Sequence, residues 1–169
     1  MTAVGQVKRA VSAAIKAAGC AAIESYSEEQ LKRYATAVAA VGTKETVIEE
    51  SGAIEYLGEK VDEATQETVS VYGRKMLLTL LIEVYVPRTV GAAGCEEAAE
   101  AITQAMMTAL PEGLKLKTIQ WGKAGWDKTA GMFRLEANAK YAAYFVAEAA
   151  EDETVFTDFV LKGTVKECE

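Results

Sequence analysis

The stretch from Tyr72 to Met107 constrains the fold most, because a long β pattern breaks there at Pro87 and a small-residue, acidic helix follows. Met76, Leu78, Leu80, Ile82, Val84 and Val86 fall on one face at period two, while Lys75, Leu77, Thr79, Leu81, Glu83 and Tyr85 share the other. A strand with one wholly apolar face has to lay it against helices or a second sheet. Pro87 cannot donate a ladder hydrogen bond, and Gly91 and Gly94 free the chain to turn, so the strand stops and a helix begins near Gly94 or Cys95. Glu96, Glu97 and Glu100 then sit where negative charge complements the helix dipole. Ala98, Ile102, Ala105, Met106 and Ala109 or Leu110 form its packing face, and Pro111 with Gly113 closes it.

The flanking segments extend this pattern in both directions. Val4, Val7, Val11, Ile15 and Ala18 recur at three or four residues, which predicts an amphipathic helix over Thr2–Ala18, ended by Gly19. Ser27 with Gln30 is spaced as a capping box for a short helix. The Thr- and Val-rich run that follows predicts a strand from about Tyr34 to Ile48. Glu50 to Glu67 is charged and turn-like, anchored by Ile54, Tyr56 and Leu57 before Gly58, and is expected to be a connection that docks locally. Val69 and Val71 resume the β pattern, with Gly73 as a bulge position. After the second helix come β segments at Leu114–Trp121, Met132–Glu148 and Thr154–Lys166, with a glycine-bearing hairpin region at Gly122–Gly131. In Met132–Glu148, Phe133, Leu135, Ala137, Ala139, Tyr141, Ala143 and Phe145 alternate with Arg134, Glu136, Asn138 and Lys140, the signature of a half-buried strand.

This order predicts one α+β domain over residues 1–169: a mainly antiparallel β-sheet with two principal helices packed on one face. The 169 residues suffice for a substantial core. The strands at Glu67–Val86 and Met132–Glu148 exceed the usual length of about 5–6 residues and so are expected to project beyond the body or pair across a subunit boundary.

Charge and composition exclude several function classes. A net charge of −7 opposes stable binding to nucleic-acid backbones or anionic membranes, which needs clustered Lys and Arg. The three cysteines, Cys20, Cys95 and Cys168, lack CxxC spacing, so neither a disulfide framework nor a zinc ribbon is written in the chain. No signal-peptide core and no apolar run of roughly 18 residues is present, which predicts a soluble, cytoplasmic chain.

The chain contains no histidine, which removes Ser-His and Cys-His nucleophiles and every histidine metal site. Cys20 follows a helix-ending glycine and Cys95 lies near a helix start, where the dipole can lower a thiol pKa, but incidental burial accounts for both. Gly91 and Gly94 suggest an anion-binding turn, yet Glu96 and Glu97 would repel a phosphate. The acidic run at Glu151–Glu153 lacks the spacing of a calcium loop, and no pair of carboxylates stands out for a hydrolase. No catalytic residue, cofactor or metal ligand is therefore assigned. Trp121, Trp126 and Phe133 could form an aromatic platform, or pack on the core or a neighbouring subunit.

The segments YLGEK at Tyr56–Lys60, VYGRKMLLTLLIEVYVPR, GAAGCEEAAEAI, GLKLKTIQWGKAGWDKTAGMFRLEANAKYAAYFVAE and FTDFVLKG resemble the tail terminator, or tail completion, family of long-tailed phages and prophages. The resemblance follows layout and spacing over nearly the whole chain. It implies a small structural α+β subunit that catalyses no reaction and assembles into a homo-oligomeric ring, typically a hexamer. The ring would cap the major tail tube protein and join it to the head–tail connector, in the virion tail after a period in the host cytoplasm. In that setting Tyr56, Leu57, Tyr72, Arg74, Trp121, Trp126 and Phe133, with the loop Glu49–Thr68, are the expected subunit and tube contacts. An acidic channel would let DNA pass without adhering. A head–tail neck or minor capsid protein is the nearest alternative. A small-molecule-binding module is the other, its pocket lined by Tyr141, Phe145, Met106 and Trp121.

Overall fold

The computed structural model describes residues 3–24, 26–50, 56–61 and 66–146. Its elements are α1 (Ala3–Ala17), β1 (Ala21–Ile23), α2 (Glu28–Leu31), β2 (Val38–Glu49), β3 (Tyr56–Val61), β4 (Thr68–Val86), α3 (Ala93–Thr108), β5 (Lys115–Trp121), β6 (Gly125–Asp127) and β7 (Met132–Val146). The strands form one seven-stranded sheet in the order β1-β2-β4-β7-β5, with β3 paired to β4 and β6 to β7. Every pairing is antiparallel except β1 with β2. The architecture is the expected α+β class, with α1 and α3 on one face.

The period-two pattern of β4 decides that layering. Met76, Leu78, Leu80, Ile82, Val84 and Val86 are all at most 1% exposed, beneath Val7, Val11 and Ile15 of α1 and Cys95, Ala99, Ile102 and Met106 of α3. Burying each large aliphatic side chain contributes about 1.5–3 kcal/mol, so this layer dominates the stability of the fold. Leu135, Ala137, Ala139 and Tyr141 of β7 complete the floor. On α3 Ala98 packs against the core while partly buried, Ala99 beside it is buried, and Cys95 joins the face one turn earlier.

The opposite face of the sheet carries a second, smaller core. Tyr85, 1% exposed, packs with Ile23, Leu31, Val38, Ala40, Ala130 and Met132. Ser27 caps α2 by accepting a hydrogen bond from the Gln30 N–H, as the capping-box spacing anticipates. That short helix then presents Leu31 to Tyr85. The rest of the face has no helix over it among the described residues.

Three expectations need correction, and one short strand adds to them. The strand placed at Tyr34–Ile48 begins only at Val38, because the Tyr34 N–H is taken by the Leu31 carbonyl in the turn that follows α2. The three-residue β1, too short to show alternation, pairs in parallel with Val38–Ala40. The supposed connection Glu50–Glu67 contains a true strand, β3, whose charged residues suit an exposed ribbon. Finally, β4 and β7 pair without a register break from Val86 to Gly73, and the bulge lies instead on β3, between Tyr56 and Gly58. Gly73 is there for space: a Cβ at that position would lie 2.5 Å from the Phe145 carbonyl oxygen and 2.8 Å from the Leu57 Cδ1. The strand expected at Thr154–Lys166, the end of Met132–Glu148 beyond Val146, and the anchor Ile54 lie outside the described residues.

Candidate interaction surfaces

The residues expected to make contacts fall into two groups at opposite ends of the sheet. Tyr56, Leu57, Tyr72 and Arg74 come together where β3 pairs with the first residues of β4. This end is an arm. α1 and α3 pack over the stretch from Met76 to Val86, whereas the residues before it are largely exposed. Tyr56 and Tyr72 are opposite in register and meet edge to face at 5.8 Å between ring centroids, yet each remains nearly half exposed. Ile48 of β2 and Phe145 of β7 lie on the same face, and both are exposed. Val47, Tyr144 and Val146 form a matching exposed set on the other face. An apolar arm of this size, covered on neither face by a helix of the described residues, is the kind of surface that marks a contact site.

Trp126 and Phe133 form the second group, packed edge to face at 5.1 Å on β6 and the start of β7. Trp121 stands apart from them at the end of β5. Its Nε1–H donates to the Thr103 Oγ1 at 2.9 Å, and that hydroxyl donates to the Ala99 carbonyl at 2.7 Å, which ties β5 to α3. The structure therefore pairs two of the three aromatics and gives Trp121 a positioning role. Beside it runs an open groove of about 680 Å³, whose wall includes Glu96, Glu100, Thr103, Met107 and Lys123.

The apolar pocket considered from the sequence is not formed by its four residues. Tyr141 and Met106 are each 1% exposed and packed together, the Tyr141 hydroxyl donating to the Met106 Sδ at 3.1 Å. Phe145 lies on the arm, and only Trp121 borders the groove. Side chains that fill one another's space leave none for a ligand.

A polar cluster on the face opposite α1 and α3 escaped the sequence reading. The Arg134 guanidinium of β7 bridges Glu83 of β4 and Glu136, and the Tyr85 hydroxyl donates to Glu83 at 3.3 Å. The registers Glu83↔Glu136 and Tyr85↔Arg134 place these groups on neighbouring strands, information that only pairing supplies. Nearby, the Lys44 Nζ donates to the Asn138 Oδ1 at 2.9 Å, spanning from β2 over β4 to β7.

Both described thiols are buried, as expected. Burial pushes Cys20 and Cys95 each up to about 11, which disfavours the thiolate that any nucleophilic or metal-binding role requires. Gly94, in the first turn of α3, leaves little room for a side chain, since a Cβ there would lie 2.5 Å from the Val90 Cγ1.

No family model matches the chain, and no curated protein matches it. Among solved structures, a chain from the virion of native gene transfer agent (GTA) particle is similar to it, with a TM-score of 0.50 and 16% sequence identity over 86% of this chain and 100% of that one. At that identity the likeness establishes a shared fold.

Proposed function

We propose that this chain is a structural subunit of a phage-like virion, and specifically a tail terminator that forms a ring between the tail tube and the head connector. The observation that carries the proposal is the fold shared over the full length of a chain from a gene transfer agent virion. The exposed apolar arm supports it, because assembly would bury Ile48, Tyr56, Tyr72 and Phe145 that the subunit by itself leaves in water. The net charge of −7 fits a channel that DNA crosses without adhering, and the role requires no reaction.

Purified protein mixed with the tail tube protein of the same virus and imaged by electron microscopy tests the proposal. Rings that seat on tube ends and stop further tube growth are the expected result. A chain that light scattering shows to be monomeric at high concentration, and that does not bind tubes, would overturn it.

A further inference from the structure

The two outer strands of the sheet leave stretches of backbone unpaired among the described residues, and these stretches match. β1 covers the outer edge of β2 only along Val38–Ala40, so β2 is open from Val41 onward. At the other end of the sheet, β5 pairs with β7 on one side only. Following the pairings across the sheet, Lys115 of β5 is level with Ala142, Leu77 and finally Val47 of β2. Thr118 is likewise level with Glu45, Ile119 with Thr43, and Trp121 with Val41. The whole of β5 therefore lies level with Val41–Val47 in the open part of β2, and β1 stops at Ala40, in the row next to the one where β5 ends.

We infer that β5 of one copy pairs antiparallel with the open edge of β2 in the next, continuing the sheet head to tail from subunit to subunit. This deepens the proposed function and rests on it, since it supplies the contact that would close the ring. Direction agrees: β5 is antiparallel to β7, β7 to β4 and β4 to β2, so a copy placed edge on edge continues the alternation. The equal level of the two strands means that successive copies need no rise along the strands, which favours closure over a helical filament.

Charge selects this pairing over its competitors. Lys115 lies on the same face of the sheet as Glu45 and Glu49, so a continued sheet sets Lys115 across from Val47 with a carboxylate diagonal on each side. Among the described residues neither Lys115 nor Glu45 is in an ion pair, and Glu49 reaches Lys75 only at 3.6 Å. Fully overlapped antiparallel self-pairing of β5 would set Lys115 across from Trp121 on a strand that holds no carboxylate, and self-pairing of β2 over Val41–Glu49 would set Glu45 across from Glu45. Like charges at facing edges resist the β2 self-pairing. Charge thus discourages the two-fold contact at the β2 edge and gives Lys115 carboxylate neighbours only in the heterologous one.

Cysteine pairing reads this geometry directly, because opposed residues of antiparallel strands stand about 4.5–5.5 Å apart between Cα atoms, within disulfide reach. In a Cys168→Ser background, Glu45→Cys and Thr118→Cys proteins mixed and oxidised should give covalent dimers, while each by itself gives none. Both substitutions in one chain should give a ladder ending in a closed species. Lys115→Glu should weaken association by about 3- to 10-fold, with recovery when Glu45→Lys and Glu49→Lys are added. Oligomers that form without these cross-links and ignore the charge swap would overturn edge pairing while leaving assembly standing. Self-cross-linking by either single variant would overturn the head-to-tail arrangement. A strict monomer, with or without tail tubes, would overturn both the edge contact and the proposed function.

Discussion

Gly73 stands where β3, β4 and β7 meet, and the Phe145 carbonyl oxygen occupies the edge of the space a Cβ would need. A backbone atom cannot swing aside as a side chain can, so Gly73→Ala should cost about 1–3 kcal/mol, measured by urea unfolding. The two buried thiols give a second prediction at this scale. Their folded pKa is raised to about 11 from an ordinary 9.0, chiefly by desolvation. The unfolded chain therefore releases these protons first as pH rises. The stability they contribute is fully present below about pH 9 and is lost as pH climbs through about 11. Thermal unfolding should thus show a Tm that falls over that window, and Cys20→Ala with Cys95→Ala should flatten the fall.

At the scale of the element, α3 shows how far periodicity reaches. Ile102 is fully buried under the sheet, whereas Met107 is 75% exposed beside the Trp121 groove. Ile102→Ala should cost about 2–5 kcal/mol through the cavity it leaves, and Met107→Ala should stay within about 0.5 kcal/mol, both by denaturant titration. The long strands and both principal helices were legible because one face of each is apolar at the period of its own backbone. β3 was not, because an exposed ribbon needs no apolar face. Its backbone groups are satisfied by β4, and its sequence is left free to be charged. β1 failed for a different reason, since three residues cannot display a period.

For the whole molecule, the division between a helix-covered body and an exposed arm predicts a separation of stability from assembly. Tyr56→Ser combined with Tyr72→Ser removes an aromatic pair that contacts water on the subunit. Circular dichroism and Tm should stay close to the parent, while light scattering and tube binding should show association reduced by at least about tenfold, the scale of losing two aromatic anchors. The expectation that long strands would project is matched by this arm, which extends past the rows that α1 and α3 cover.

What the sequence determined by itself is the layering: alternation along β4 and β7 and the three-to-four spacing along α1 and α3 dictate which faces turn inward, because burying apolar area drives folding wherever it occurs. The absence of histidine and the acidic balance likewise follow from residue counts and need no coordinates. The tertiary structure decided what depends on register. It paired Trp126 with Phe133 and separated them from Trp121, assembled Glu83, Arg134 and Tyr85, and brought the open rows of β2 level with β5. Such facts join residues far apart in the chain through strand pairing, and a local pattern fixes which face a side chain takes but not which neighbour it meets.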